Sequence, residues 1–163
     1  MSFDIKVFKN SSFRDHRGHY WTSWKKGTNS KIQFKHDKFS LSRKNVLRGL
    51  HGDRKTWKLI SCPYGKFFMV VVDLNKKSKT YLKWESWILS HENGLQLLVP
   101  PNFANGHYCL SDYCLFHYKL SYNGSYFGQS RQFSVRWNDP KINIKWPTKK
   151  PILSKRDKNS NFI

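Results

Sequence analysis

Residues 47–51, Leu-Arg-Gly-Leu-His, place an imidazole three positions after a guanidinium. A histidine with an ordinary pKa can accept a proton near neutral pH, and an arginine can hold a phosphate with two parallel hydrogen bonds. A base beside an anion anchor could enolise a phosphorylated or nucleotide-linked carbonyl compound. From this segment alone, His51 could equally be a polar loop residue and Arg48 a solvated charge.

The elements expected to position these residues are short β-strands. Segments that combine β-branched or aromatic residues with partial alternation are 5–7, 18–24, 32–42, 58–61, 66–73, 81–89, 95–99, 106–110, 114–121 and 133–137. Turn-forming residues separate them, and no amphipathic helix or internal repeat is evident. The pattern predicts a single all-β domain over residues 1–163, a sandwich or barrel, with 140–163 as a wrapping C-terminal tail.

One strand of this predicted fold carries a second candidate for chemistry. In a strand, alternate residues share a face, so Phe116, Tyr118 and Leu120 lie together, with His117 and Lys119 opposite them. If the first face points into the barrel, the Tyr118 phenol lies inside and His117 is solvated. The alternative is a core tyrosine whose hydroxyl bonds to the backbone.

The net charge of +20 raises the question of nucleic acid. Basic residues are spread along the chain, except for a concentration over 145–158, and no DNA- or RNA-binding motif accompanies them. We therefore expect no nucleic-acid partner. A lysine-rich proteome gives the same charge, which would still attract an anionic substrate such as a sugar nucleotide.

The three cysteines, Cys62, Cys109 and Cys114, fit no zinc spacing and predict buried free thiols in a reducing compartment. No apolar run is long enough to span a bilayer, and the N-terminus lacks a signal-peptide pattern. We expect a cytoplasmic protein with no membrane partner.

A series of motifs along the chain resembles one known family. The matching segments are 15–18, 46–51 (Val-Leu-Arg-Gly-Leu-His), 58–60, 70–74, 89–93, 99–106 (Val-Pro-Pro-Asn-Phe-Ala-Asn-Gly), 118–119, 137–140, 144–147 and 151–154. In this order they resemble the dTDP-4-dehydrorhamnose 3,5-epimerase family of sugar-nucleotide enzymes. The resemblance extends from residue 13 to residue 157.

The resemblance implies a cupin-type jelly-roll homodimer that uses no metal and no cofactor. The chain also lacks the His-x-His pair and following Glu that metal-binding cupins use as ligands. The implied reaction removes a proton next to the C4 ketone of a nucleotide-linked 4-keto sugar and returns one to the opposite face. C3, C5 or both could be inverted.

The resemblance also implies catalytic roles for four residues. His51 falls on the general base, and Asp157 falls on the carboxylate that orients it. Tyr118 falls on the general acid, and Lys58 falls on a lysine near the developing enolate oxygen, where a fixed cation stabilises the transition state.

Four further residues are implied as substrate-binding. Arg48 and Arg17 match arginines that hold the substrate, chiefly its diphosphate, and Arg17 could come from the partner subunit. Lys38 follows His-Asp where the family favours Gln-Asp-Asn, and Asn105 stands where the family usually has histidine.

These departures bear on the substrate. After His51 the family's longer loop is replaced by the shorter segment 52–57, next to the sugar and nucleotide pockets. This pattern is similar to a branch of epimerases acting on GDP-4-keto-heptoses for capsular polysaccharides. The alternatives are a sugar-nucleotide 3,4-ketoisomerase, which the Tyr118 and Asp157 matches disfavour, and a non-catalytic basic jelly-roll binding protein.

Overall fold

The chain forms two layers of short antiparallel strands. The structure, a computed structural model, describes residues 3–25 and 32–163. The strands within these ranges are β1 Lys6–Lys9, β2 Ser12–Asp15, β3 Gly18–Trp21, β4 His36–Arg43, β5 Leu47–Gly52, β6 Trp57–Tyr64, β7 Lys66–Asp73, β8 Trp84–Ser90, β9 Leu95–Val99, β10 Phe103–Cys109, β11 Tyr113–Ser121 and β12 Phe133–Ser134. A short 3-10 helix spans Gln129–Arg131, and a four-residue helix, α1, spans Lys155–Lys158.

Two five-stranded sheets face each other as a jelly-roll sandwich. One has the order β1-β9-β6-β11-β4 and the other β12-β5-β10-β7-β8, while β2 and β3 form a separate hairpin. All the strand pairs are antiparallel. The predicted all-β fold is therefore confirmed.

Strand β7 explains why residues 67–72 are almost continuously apolar. Met69 and Val71 pack into the core between the two sheets. Val70 and Val72 belong to a second cluster on the other side, which includes Ile142 from the C-terminal segment. Both faces of the strand are covered, so alternation with polar residues is lost.

Strand β5, which carries the Leu-Arg-Gly-Leu-His segment, was not among the predicted strands. Gly49 lowers its β propensity, yet glycine is needed there. Gly49 has φ +126°, and a Cβ at this position would lie 2.6 Å from the Gly106 Cα and 2.8 Å from the Asn105 carbonyl oxygen. The glycine therefore permits the close approach of β5 and β10.

The prediction that His117 is solvated is wrong, because its side chain is only 8% exposed. Strand β11 lies inside its sheet, between β6 and β4, and both neighbours cover the His117 side chain. Its ring stacks on Phe39, with centroids 4.5 Å apart, and it hydrogen-bonds to Ser61 (2.9 Å) and Asp37 (2.8 Å).

The predicted state of the cysteines is confirmed, since Cys62, Cys109 and Cys114 are buried free thiols. Over residues 3–25 and 32–163, no helix has the length and apolar character needed to cross a membrane.

Replacing Gly49 by alanine should lower the free energy of unfolding by about 2–4 kcal/mol, because the new methyl group meets backbone atoms that cannot move aside. Denaturant titration of both proteins measures the difference. The matched control is Gly128→Ala, where nothing lies within 4 Å of the added carbon and φ is −62°. We expect this change to be within about 0.5 kcal/mol of the wild type. Equal effects of the two substitutions would contradict the close-approach explanation.

Candidate active site

A cavity of about 310 Å³ opens between the two sheets. The residues that line it include six of the eight predicted site residues, which are Arg48, His51, Lys58, Asn105, Tyr118 and Asp157. They come from both sheets and from the helix near the C-terminus, so the cavity depends on the assembled sandwich.

The pairing of β5 with β10 builds one wall of the cavity. In this antiparallel pair His51 lies opposite Asn105, and Arg48 lies opposite His107, with a bulge between the two pairs. A bulge changes the direction of neighbouring side chains, and bulges are frequent beside active sites. All four of these side chains line the cavity.

Asp157 holds the imidazole of His51. The His51 Nε2 donates to Asp157 Oδ1 at 2.7 Å. Ser154, the N-cap residue of α1, donates from its hydroxyl to the other carboxylate oxygen at 2.8 Å and accepts from the Asp157 N–H at 3.1 Å. The short helix therefore fixes the carboxylate under the ring.

These contacts keep Asp157 ionised. Burial disfavours the charged carboxylate, but the hydrogen bond and electrostatic attraction of His51, with hydrogen bonds from Ser154 and the Gly49 backbone, lower its pKa below the ordinary value. An ionised carboxylate can only accept, so Nε2 of His51 carries the proton. Nδ1 is then the basic nitrogen, and an imidazole in this arrangement is suited to act as a general base.

Lys58 crosses from β6 in the opposite sheet. Its Nζ donates to Asn105 Oδ1 at 2.7 Å and to the His51 carbonyl oxygen at 3.4 Å. Burial lowers its pKa to about 8, and Asp53 opposes this shift. The ammonium group is therefore a cation at neutral pH, and it is held next to β5, the strand that carries His51.

Tyr118 lines the cavity from the sheet opposite that of His51. It lies on β11, opposite Ile60 in the register with β6, and its ring meets Phe116 edge-on with centroids 5.2 Å apart. Burial, together with Tyr126, raises its pKa to about 12, and Arg48 opposes the increase. The phenol is therefore protonated near neutral pH and can act as an acid.

Arg48 is an exposed residue that lines the cavity. Its Nε donates to Ser42 Oγ at 2.9 Å, and its Nη2 donates to the Leu41 carbonyl oxygen at 3.2 Å. Among the described residues that line the cavity, three cationic side chains, Arg48, Lys58 and Arg156, face a single carboxylate. This balance favours an anionic ligand.

Two predicted residues lie outside the cavity lining. The ammonium group of Lys38 lies 4.3 Å from the ring centroid of Tyr126, which itself lines the cavity. Arg17 lies in the turn of the β2–β3 hairpin, 76% exposed and paired with Asp15. Within one chain, Arg17 is not brought together with the His51 site.

Several cavity residues were missed from the sequence. Ser154 could have been found, because a serine three positions before an acidic residue is a helix N-cap pattern. Tyr126, Gln129, Gln132 and His107 line the cavity but follow no pattern of spacing. In the described part of the chain, no group of three or more His, Cys, Asp or Glu side chains is placed to hold a metal ion.

Comparison with known proteins identifies the family. The family model dTDP-4-dehydrorhamnose 3,5-epimerase matches residues 3–163. The chain is 39% identical over 163 residues to the dTDP-4-dehydrorhamnose 3,5-epimerase of Salmonella typhimurium, covering 94% of this chain and 87% of that protein.

Solved structures have the same fold. A dTDP-6-deoxy-D-glucose-3,5-epimerase from Legionella pneumophila, in complex with dTDP-4-keto-L-rhamnose, superposes with a TM-score of 0.90 at 33% identity, covering 97% of this chain and 87% of that one. A dTDP-4-dehydrorhamnose 3,5-epimerase from Bacillus anthracis, with TDP and pyrophosphate bound, gives 0.91 at 33% identity, covering 98% and 94%.

The fold and the site define an isomerase of the jelly-roll type. The chain belongs to the dTDP-4-dehydrorhamnose 3,5-epimerase family. The predicted family, jelly-roll architecture and epimerase class are confirmed.

The lowered pKa of Lys58 predicts an alkaline limit to activity. The lysine is cationic below about pH 8 and loses its charge as the pH rises through that value, so kcat/KM should fall about tenfold per pH unit above it. Lys58→Arg should be slower but should lack this limb, because guanidinium stays protonated. Steady-state kinetics across this pH range measure both. If Lys58→Arg keeps the same alkaline decrease in kcat/KM, that decrease is caused by another group.

Proposed function

We propose that the protein inverts C3, C5 or both of a nucleotide-linked 4-keto sugar. His51 removes the proton next to the C4 ketone, and Tyr118 returns a proton to the opposite face of the same carbon. The observation that carries this proposal is that an imidazole held by a carboxylate and a protonated phenol line one cavity from opposite sheets.

In the first step, a C–H bond next to the ketone breaks. The proton goes to Nδ1 of His51, and the electron pair moves to the ketone oxygen to form an enolate. Asp157, already bonded to Nε2, stabilises the imidazolium that results. This contact exists before the reaction, so little reorganisation is needed when charge develops.

Lys58 supports the same step by stabilising the enolate oxygen. Its ammonium group is buried, so its attraction for a developing negative charge is weakly screened. Asn105 accepts from Lys58 through Oδ1, which leaves its NH₂ group free to donate to a sugar oxygen. Lys58 thus serves charge stabilisation, and Asn105 serves sugar orientation.

In the second step, the Tyr118 O–H protonates the enolate carbon. The electron pair returns to re-form the C4 ketone. The phenolate then takes a proton from water, and the His51 imidazolium gives its proton to the resulting hydroxide, which restores both side chains. Because Tyr118 approaches from the sheet opposite His51, the new C–H bond forms on the other face and the configuration is inverted. Arg48 and Lys38 bind the substrate, with Arg48 on the diphosphate.

We propose that the working form is a homodimer in which Arg17 completes the partner's cavity. The β2–β3 hairpin is separate from both five-stranded sheets and exposes Phe13, Tyr20 and the Arg17 guanidinium. An exposed aromatic pair beside a cation is suited to contact a neighbouring protein surface. The buried thiols support a cytoplasmic location.

Two sugar nucleotides are candidate substrates. The named relatives are dTDP-sugar epimerases, which supports a dTDP-4-keto-6-deoxyhexose. A GDP-4-keto-heptose of capsular or surface polysaccharide synthesis is supported by the short 52–57 segment and by Asn105. Asparagine is smaller than the usual histidine at that position, which leaves room for the additional carbon of a heptose.

Isotope exchange tests the mechanism and the substrate together. In deuterated water, the wild type should place deuterium at C3, C5 or both of one of the two candidate sugar nucleotides. His51→Asn should lower this exchange by at least about 10²-fold, because the change removes the nitrogen that accepts the proton. Nuclear magnetic resonance of the recovered sugar counts the exchanged positions.

Tyr118→Phe should retain exchange from His51 but lose inverted product. Tyr113→Phe is the matched control, because Tyr113 lies on the same strand, is exposed and does not line the cavity. It should behave as the wild type. Absence of deuterium incorporation with every candidate sugar would overturn the epimerase proposal.

Mixing two inactive variants tests the role of Arg17. If Arg17 serves the partner's cavity, a dimer of Arg17→Ala and His51→Asn chains contains one intact site. Co-expression should then restore about a quarter of the wild-type rate, because half of the dimers are mixed. Arg14→Ala, on the same hairpin, is the control and should keep full activity alone. No recovery on mixing would place Arg17 in its own chain's cavity or outside catalysis.

A further inference from the structure

A second histidine lies in the cavity and has no part in the proton transfers described above. His107, on β10, is 3% exposed. Its ring stacks on Phe116 of the opposite sheet, with centroids 4.4 Å apart and planes within 13°. His107 therefore joins the two sheets at the cavity wall, between the strand of Arg48 and the strand of Tyr118.

The first connection runs from His107 to Arg48. Ser42 Oγ accepts from Arg48 Nε at 2.9 Å and lies 3.5 Å from His107 Nε2. Since the Ser42 oxygen accepts from the guanidinium, its own O–H is free to donate to Nε2. The imidazole thus directs the hydroxyl, and the hydroxyl holds the guanidinium.

The second connection runs from His107 to Tyr118. Phe116 and Tyr118 share one face of β11, and their rings meet at 63° with centroids 5.2 Å apart. The face of Phe116 is covered by His107, so the Phe116 ring cannot rotate without breaking that stack. The Phe116 edge in turn limits where the Tyr118 ring can lie.

His107 is neutral when it makes these contacts. Burial, together with the nearby charge of Arg48, lowers its pKa to about 3, and Asp157 opposes the shift. A neutral imidazole can accept from Ser42, whereas an imidazolium could not accept and would repel Arg48. An imidazole with so low a pKa is a weak proton acceptor, so His107 is suited to positioning rather than to proton transfer.

We propose that His107 is a positioning residue that sets two parts of the site independently: the Arg48 guanidinium through Ser42, and the Tyr118 phenol through the Phe116 ring. This inference rests on the proposed function, in which Arg48 holds the diphosphate and Tyr118 delivers the second proton.

Two substitutions separate the two connections. His107→Phe keeps a flat ring over Phe116 but removes the nitrogen that reaches Ser42. It should weaken the binding of GDP or dTDP, whichever the wild type binds, about three- to tenfold by calorimetry. The ratio of inverted product to deuterated substrate that keeps its original configuration should equal that of the wild type.

His107→Gln keeps a polar atom near Ser42 but removes the ring. Nucleoside diphosphate affinity should stay within about twofold of the wild type. Without the stack, the Tyr118 phenol is no longer held, and protons return from His51 more often. Inverted product should then fall at least about threefold relative to deuterated substrate. If this variant does not fold, Phe116→Leu removes the same stack and carries the same expectation.

Two further variants serve as controls. Ser42→Ala should weaken nucleotide binding as much as His107→Phe does. The double variant should bind the nucleotide no more weakly than either single variant. His117→Phe is matched in chemistry, since His117 is also buried, stacked on a phenylalanine and bonded to a serine, but it does not line the cavity. Its nucleotide affinity should be unchanged.

If His107→Phe binds the nucleotide as tightly as the wild type, or loses no more affinity than His117→Phe does, the first connection, from His107 to Arg48, is overturned. An unchanged product ratio in the ring-deleted variant overturns the second. A merely structural role would lower the melting temperature and change affinity and product ratio together in both variants. If the wild type neither binds a nucleotide nor exchanges deuterium, the proposed function fails. If it does both and the variants match it, only the inference about His107 fails.

Discussion

The active-site geometry depends on the close contact of two glycines. Gly49 on β5 and Gly106 on β10 approach so closely that a side chain at Gly49 would meet backbone atoms of the other strand. This approach allows the pairing that places His51 opposite Asn105 and Arg48 opposite His107. The proposed base and anion anchor therefore share one wall with the side chains of Asn105 and His107, because the two backbones can approach.

The two sheets divide the chemistry between them. One wall carries His51, the proposed base, and the other carries Tyr118 and Lys58. Inversion requires a proton to leave one face of a carbon and return to the other, and a two-layer sandwich holds a base and an acid on opposite sides of one cavity. Burial then sets the protonation states: it keeps Tyr118 protonated and lowers the pKa of Lys58 to about 8.

Much of the site could be predicted because its residues lie in segments with a recognisable order along the chain. Alternation grouped Tyr118 with Phe116 and Leu120 on one face of its strand, since side-chain direction in a strand is a local property. The same reasoning was wrong for His117, because whether the outer face is covered depends on β4 and β6 rather than on β11 itself. His107 was missed for a related reason: it is buried only where Phe116 from the other sheet stacks on it.

By itself, the sequence determined the all-β class, the free thiols, the membership of the epimerase family and the candidate base and acid. These depend on local periodicity, composition and motif order. Only the tertiary structure decided which groups touch. His51 and Asp157 are 106 positions apart, and Lys58 and Asn105 are 47 apart. No local pattern specifies contacts over such distances, and the pKa of each buried group follows from neighbours that folding brings to it. The Leu-Arg-Gly-Leu-His segment contains the candidate base, but the carboxylate, cation and phenol around it come from other strands and from the C-terminal helix.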